Sequence, residues 1–436
     1  VWTENPSDTT LLWTKWLGNQ WEPQRGVSRN ALGVWSRLRP DLAFDEQRRA
    51  WLVWHNGYEN NNRDIAACYW DDSRWSSEQQ VCQPDSSDVD FAPKANCGGG
   101  QVWCVWYGRP TRVSPNSVYA SRWNDDIGQW EGETRVSPGD GNSHWWCDLA
   151  ADARGRPHVV WVTHPLYLVN YSYFDRGQWQ GPFPVNDTTL VKAAPWGDPR
   201  IAMDRDGVMH LSFTGARVGA MHRDIFYTRN DGSGWIPCQM VTRDSLYDEW
   251  CSDIAAESRA NVWMTWDRQN EGPDQFRVYA AHFDGRLWSS EQRLDDTSSY
   301  YDVFPAVCLD SSGNPWVFWT GIPAGQASDD VFFNRVVNTD LAEAQPASVF
   351  RLARLRCATL QNGSSTAVTF DLIAASQVRV ALYNEAGRCM AVLADRHMPR
   401  GTHTVRCREF LASGVYLCRL QAGGQSDLSR VVLLGR

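Results

Sequence analysis

Lysine is almost missing from this chain of 436 residues: Lys15, Lys94 and Lys192 are the three present, so nearly all of the 42 basic side chains are arginine. No stretch approaches the ~18 apolar residues that a membrane-spanning helix needs, which excludes one. A basic-plus-apolar leader does not stand at Val1, so a secretory signal is expected to have been removed or to lie outside this sequence. No C-x-x-C pair or Cys/His cluster has zinc spacing. Turns such as Asp204-Arg205-Asp206-Gly207 are too short for an EF-type calcium loop. Neither metal nor cofactor is expected. With 51 acidic residues and a net charge of −9, the balance argues against a general nucleic-acid binder.

Tryptophan is what the chain has in excess, 25 residues, and its placement is periodic. Apolar runs end at Trp54, Trp106, Trp161, Trp266 and Trp319, with Phe213 in the same register, at spacings of 52, 55, 52, 53 and 53. Trp2 lies 52 residues before Trp54. A second marker runs in phase: Trp21, Trp75, Trp130, Trp179, Trp235 and Trp288 each follow a polar turn, and each turn follows a strand-like run such as IAACYW or VYASRW. Alternation of period two and abundant β-branched and aromatic residues exclude a helical repeat.

Each repeat of about 53 residues therefore reads as four short strands, A to D, with B ending at the first marker. The fold class expected is all-β. Residues 1–338 form a seven-bladed β-propeller lacking strand A of the first repeat and strand D of the last; six blades is the alternative. Residues 339–347 are a linker by composition. Residues 348–436 carry alternating runs (TAVTFDL, QVRVALYN, GVYLCRL) that fit a small antiparallel β-sandwich. Charge inverts there: twelve Arg and five acids from residue 347 onward give +7, leaving −16 on the rest. An Arg-rich module of this kind is expected to dock on an acidic surface: its own propeller, a neighbouring copy or an anionic surface polymer.

The C-terminal runs SSTAVTFDL, VRVALYNEAGRCMAVL, RGTHTVRC and ASGVYLCRLQAGGQSDLSRVVLLGR resemble the C-terminal sorting domain of the bacterial type IX secretion system, which is immunoglobulin-like and similar to the FlgD Ig-like fold. The usual Pro-Asn-Pro opening is replaced by RLRCATLQNG. The resemblance implies export and anchoring at the bacterial cell surface. In layout the repeats resemble sialidase-like and lectin-like propellers, although the sialidase Asp-box is absent; Asp152, Asp204 and Asp310 each open a D-x-x-G element in the A–B turn instead.

Twelve cysteines in a secreted chain favour disulfides. Cys97 with Cys104, across the GGG turn of an A–B hairpin, and Cys407 with Cys418, on consecutive strands, are the candidates; buried free thiols are the alternative. For binding, an aromatic recurs just before strand A: Trp35, Phe91, Trp146, Trp196, Trp250 and Phe304, accompanied by acids that include Asp198, Asp248 and Asp302. A ring beside a carboxylate suits a sugar; blade-to-blade packing is the alternative. His55, His144, His164 and His222, with Tyr107 or Tyr247, would serve a polysaccharide lyase. Two functions compete. One is a secreted or cell-surface propeller that binds glycan or a surface partner, or is a structural surface component, with self-association through the charged module. The other is a glycoside hydrolase or polysaccharide lyase acting at the channel mouth.

Overall fold

A computed structural model describes residues 1–3, 11–18, 20–27, 36–57, 63–83, 89–111, 113–195, 197–242, 247–269, 275–295, 299–323, 330–335, 353–359, 366–372, 375–384, 389–406, 414–422 and 425–433. Every regular element among them is a β-strand. The chain divides into two compact units, Val1–Asn338 and Thr339–Arg436.

Repeat two shows the plan of the first unit. Strands A (Ser36–Phe44), B (Ala50–Gly57) and C (Arg63–Trp70) form an antiparallel meander, closed by a short D (Gln79–Gln80). The plan recurs in repeats three (from Val89–Gly98), four (from Ser143–Ala151), five (from Arg200–Met203) and six (from Asp248–Ser258). Repeat seven shows A, B and C (Ser299–Leu309, Pro315–Pro323, Asp330–Arg335) among the described residues. Repeat one shows three strands, Trp2–Thr3, Leu11–Trp13 and Arg25–Gly26. Single parallel bridges, Arg63 to Val89 and Phe276 to Tyr301, join repeats two to three and six to seven.

The A–B turns are built by the D-x-x-G elements. In repeat four the Asp152 carboxylate accepts from the backbone N–H of Arg154 and Arg156, both at 2.9 Å, and Gly155 takes φ of 76°. A side chain at Gly155 would meet Gln101 of the preceding repeat, and its carbonyl accepts from Trp103 Nε1 at 2.9 Å. One turn thus ends a hairpin and seats a neighbour's tryptophan.

That tryptophan belongs to the interaction that makes the repeats a propeller. The second apolar position of strand B packs on the aromatic pair of the next repeat's C–D turn. Trp51 lies 4.8 Å from Trp123 and 5.7 Å from Trp130, and Trp103 lies 5.4 Å from Phe174 and 6.3 Å from Trp179. Aromatic contacts also hold the first repeat from both sides: Trp13, on its second strand, lies 4.7 Å from Trp70 of repeat two, and Trp316 of repeat seven lies 5.6 Å from Trp16. The last repeat therefore meets the first, and the A strands of repeats two to seven line a central channel of about 550 Å³.

The B markers all lie in strands and are buried, yet they do not end them. Strand B runs on past each marker to Gly57, Arg109, His164, Arg217, Gln269 and Pro323. The proposed Cys97–Cys104 disulfide is contradicted: the hairpin pairs Cys97 with Val102 and Cys104 with Ala95, and both thiols are free. Cys418 is buried in the core of the second unit, and Cys407 lies outside the described residues.

The second unit has two antiparallel sheets. One holds Ala353–Thr359, Thr366–Leu372 and Gly401–Arg406; the other holds Cys389–Met398, Ser376–Tyr383, Gly414–Ala422 and Gln425–Leu433. Val368 and Val405 of the first share a core with Val380, Leu382 and Leu420 of the second.

The wedge residues should carry much of the propeller's stability. Trp51→Ala deletes a side chain 1% exposed, its ring contacts and its Nε1 bond to Asp45, and should cost about 3–5 kcal/mol in urea unfolding. Leu287→Ala, at a half-exposed site, should stay within about 0.5 kcal/mol. Equal losses would contradict the wedge.

Candidate functional site

Strand A is not straight. In repeats two, three, four, six and seven its pairing with strand B skips two residues, between Leu38 and Asp41, Phe91 and Lys94, Trp145 and Asp148, Trp250 and Asp253, and Val303 and Ala306. The first skipped residue has positive φ each time: Arg39 at 52°, Ala92 at 44°, Trp146 at 54°, Cys251 at 45° and Phe304 at 54°. A non-glycine residue in this region costs about 1–3 kcal/mol. Five such residues at one level of one channel are a constraint imposed by the fold. The bulge bends the innermost strand and re-aims its side chains at the channel mouth.

Just inside the bulges lies a ring of charge that alternates in sign: Asp41, Lys94, Asp148, Arg200 and Asp253, with Ala306 in the last repeat. Each carboxylate ties its A strand to the next. Asp41 Oδ2 accepts from Ala95 N at 2.9 Å, Asp148 Oδ2 from Ile201 N at 2.9 Å, and Asp253 Oδ2 from Val307 N at 2.8 Å. Lys94 Nζ meets Asp41 Oδ1 at 3.0 Å. Arg200 reaches Asp198 at 3.4 Å and Asp253 at 3.9 Å. Burial pushes Asp148 up to about 6 against the pull of Arg200 and Lys94, and it raises Asp198 and Asp253 as well.

Above this ring, between repeats two and four, three arginines converge. Arg39 Cζ lies 4.8 Å over the Trp146 ring and Arg63 Cζ 4.7 Å over Phe91. Phe91 stacks on Tyr107 at 5.4 Å, and Tyr107 meets Trp146 at 5.5 Å, so the three rings form one wall. Arg109 pairs with Val89, the residue that also bridges to Arg63. No ion pair is made by Arg39, Arg63 or Arg109 among the described residues, and Arg109 Nε is buried without a hydrogen-bond partner. Burial, together with Arg39 and Arg109, lowers Arg63 from its ordinary value. His55, beside them, is pushed down to about 3 by burial and by Arg63 and Arg39, so it is neutral at physiological pH.

The residue after each B marker points at this level. His55, Tyr107 and Asp267 hold the equivalent place in repeats two, three and six. Asp267 Oδ2 accepts from Phe304 N at 2.9 Å, its Oδ1 is buried without a partner, and burial pushes it up to about 7.

The sequence-predicted residues separate into several places. Trp146 and Phe304 stand at the positive-φ position of their bulges, half-buried and 62% exposed. Phe91 and Trp250 stand one residue earlier; Trp250 lies under Arg223, whose Cζ is 4.1 Å from its ring. Trp35 and Trp196 lie outside the described residues. Asp198 lines the channel. Asp248 is paired with Arg223 at 3.5 Å. Asp302 is fully buried, bonded to Trp319 Nε1 at 3.0 Å and Arg277 at 3.2 Å, and holds strands together. Of the loop histidines, His144 is buried and bonded to Thr163 and Asp140, and His164 stacks on Trp145. Sequence reasoning missed Arg39, Arg63 and Arg109. Their signal was available in part, because Arg63 lies nine residues after the marker Trp54 and Arg109 three residues after the marker Trp106.

Among the described residues no three His, Cys, Asp or Glu side chains gather as metal ligands.

Asp148 makes the ring testable. Its folded value lies above the unfolded carboxylate value, so its contribution to stability is present below about pH 4 and lost as pH rises through about 6. Asp148→Asn removes that titration. Wild type should lose thermal stability relative to the variant between pH 4 and 7; parallel melting curves would contradict the assignment.

No protein-family profile matches the chain, and no curated protein sequence matches it. Several solved structures are similar in fold. A protein of unknown function from Dyadobacter fermentans has TM-score 0.49 and 12% identity, covering 68% of this chain and 94% of that one. The NanB sialidase from Streptococcus pneumoniae has TM-score 0.48 and 11% identity, covering 70% and 69%. An α-L-arabinanase from Penicillium chrysogenum has TM-score 0.47 and 11% identity, covering 68% and 93%. The propeller assignment itself stands on this chain's own sheets, aromatic contacts and channel.

Proposed function

We propose that the protein is a secreted or cell-surface propeller of seven blades that binds an anionic glycan at its channel mouth. The carrying observation is the set Arg39, Arg63 and Arg109, three guanidiniums without a carboxylate partner among the described residues, against the Phe91–Tyr107–Trp146 wall. Unpaired arginines held close together repel one another, and an oxyanion relieves the repulsion. A guanidinium presents a planar fork that matches carboxylate or sulfate. Stacked rings offer a face to the C–H side of a sugar. A uronate or sulfated sugar carries both features in one residue.

The seventh blade is supported by the first repeat's aromatic contacts to repeats two and seven. The C-terminal unit is proposed to be an immunoglobulin-like sorting and anchoring domain; its two sheets with one core support a sandwich, and the resemblance of its strands supports the role. With +7 over residues 347–436 it suits attachment to an anionic surface polymer, or self-association with an acidic propeller.

A second reading, a hydrolase or lyase at the same mouth, is favoured by one observation. Asp267, pushed up to about 7, and Asp198 each keep a buried oxygen without a hydrogen-bond partner. New reducing ends or unsaturated uronates released from a polyuronate would support it.

Calorimetric titration of the full chain with oligogalacturonate, chondroitin sulfate and a neutral glucan tests the main reading. One acidic ligand should bind, with affinity falling as salt rises. Arg63→Ala should weaken it at least about tenfold, since a hydrogen bond to a charged group contributes about 1.5–3 kcal/mol. Equal binding of the neutral glucan, or an unaffected Arg63→Ala, would refute the proposal.

A further inference from the structure

Among the described residues, the aromatic wedge between repeats is replaced on both sides at the junction of repeats four and five. At the second apolar position of strand B, repeats two, three, six and seven have Trp51, Trp103, Trp263 and Trp316; repeats four and five have His158 and His210. At the end of strand C, paired with the D tryptophan, stand Trp70, Trp123, Phe174 and Phe283, but Asn230 in repeat five. Between repeats five and six, Phe283 and Trp288 pack on Tyr227 at 5.4 and 5.0 Å, and His210 is fully buried, bonded to Tyr227 and Asp204. Between repeats four and five the small residues face each other, His158 across from Asn230. The result is a cleft of about 1200 Å³ on the A–B turn face, away from the channel mouth.

We infer that this cleft is a second binding site, for a neutral oligosaccharide. Its wall is a row of near-parallel rings, Tyr171, Tyr173 and Phe183, with neighbours 5.9 and 6.3 Å apart. Trp235 stands at 81° to Tyr171, 5.4 Å away, and closes one end. Phe183 is 44% exposed and so presents the accessible face of this wall. The rim supplies both kinds of polar group. Arg154 and Asp206 make no ion pair among the described residues. His158 is 7% exposed; its Nδ1 is bonded to the Tyr171 hydroxyl at 2.6 Å, while its Nε2, 3.6 Å from Asp152, has no hydrogen-bond partner. Three arginines (Arg154, Arg156, Arg205) and four aspartates (Asp152, Asp204, Asp206, Asp231) line the cleft, so the two signs nearly offset one another and the site does not select an anion. Donors and acceptors of both signs around an aromatic wall match a sugar's alternating hydroxyls and C–H faces. The volume exceeds the ~300–1,000 Å³ of a drug-sized pocket and has room for two or three pyranose rings. This inference is independent of the anion site, from which it differs in face, residues and ligand charge.

The test uses the full chain, titrated by calorimetry and tryptophan fluorescence with cellohexaose, mannohexaose, laminarihexaose and xylohexaose. At least one should bind. Phe183→Ala and Arg154→Ala should each weaken it about tenfold, as loss of one aromatic contact or hydrogen bond predicts. The double variant His158→Trp with Asn230→Trp restores the wedge and should abolish binding while raising the melting temperature. Arg63→Ala, at the other face, should leave it unchanged. If the double variant does not fold, Phe183→Ala and Arg154→Ala decide. Absence of binding by all four hexaoses, or binding insensitive to these variants, would overturn the inference without touching the anion site.

Discussion

The propeller depends on one contact repeated around a ring: an aromatic side chain on strand B seated against the aromatic pair of the next repeat. A four-strand meander of about 50 residues has two faces and cannot bury both by itself. Trp51 on Trp123, Trp103 on Phe174, and Trp316 on Trp16 supply the missing cover. Because each wedge belongs to two repeats, none of them is stable as an isolated unit, and the ring must close. The incomplete first repeat illustrates the point. Three short strands persist because Trp13 and Trp16 are held from opposite sides.

Closure then decides what the centre looks like. A strands brought side by side would crowd their inward side chains, and the bulges at Arg39, Ala92, Trp146, Cys251 and Phe304 turn them outward toward the mouth. The polar side chains next inward are used to fix one strand to the next, as Asp41, Asp148 and Asp253 do through backbone N–H groups. The proposed binding layer and the layer that fixes the strands are thus adjacent on the same strands. The inner layer sets its charges against one another and against backbone N–H groups. The outer layer, with Arg39 over Trp146, leaves charge unspent.

The sequence shows the repeats because their markers obey a period, and a buried tryptophan every 52 to 55 residues survives any local irregularity. It blurs the site for the same reason in reverse. Phe91 and Trp146 look equivalent as aromatics before strand A, yet one precedes the bulge and the other occupies its positive-φ position. A one-residue slip sends a strand side chain to the opposite face. Asp302 looked like Asp198 in the linear pattern, but Trp319 and Arg277 claim it while Asp198 faces the channel. The arginines were invisible to a motif search because Arg39, Arg63 and Arg109 come from an A, a C and a B strand of two repeats. The cleft was legible in principle: His158 and Asn230 depart from their repeat positions, and the departures become meaningful only when they are seen to face each other.

Net charge was the least informative feature for the site. A segment near −16 would be expected to attract cations, yet its channel mouth gathers unpaired guanidiniums. The two facts are compatible because screening limits the reach of a charge to about 8–10 Å at moderate salt. Within that radius the mouth is governed by Arg39, Arg63 and Arg109, while many of the acids are consumed in turns, such as Asp152 and Asp310, or in the inner ring. The scarcity of lysine sharpens this. A lysine ammonium in the place of Arg63 over Phe91 would present a compact charge that water solvates strongly, whereas a guanidinium can stack on a ring and still offer its edge to a ligand. The arginine bias of the whole chain therefore acts locally as a geometric property: it lets charge and aromatic surface share one wall.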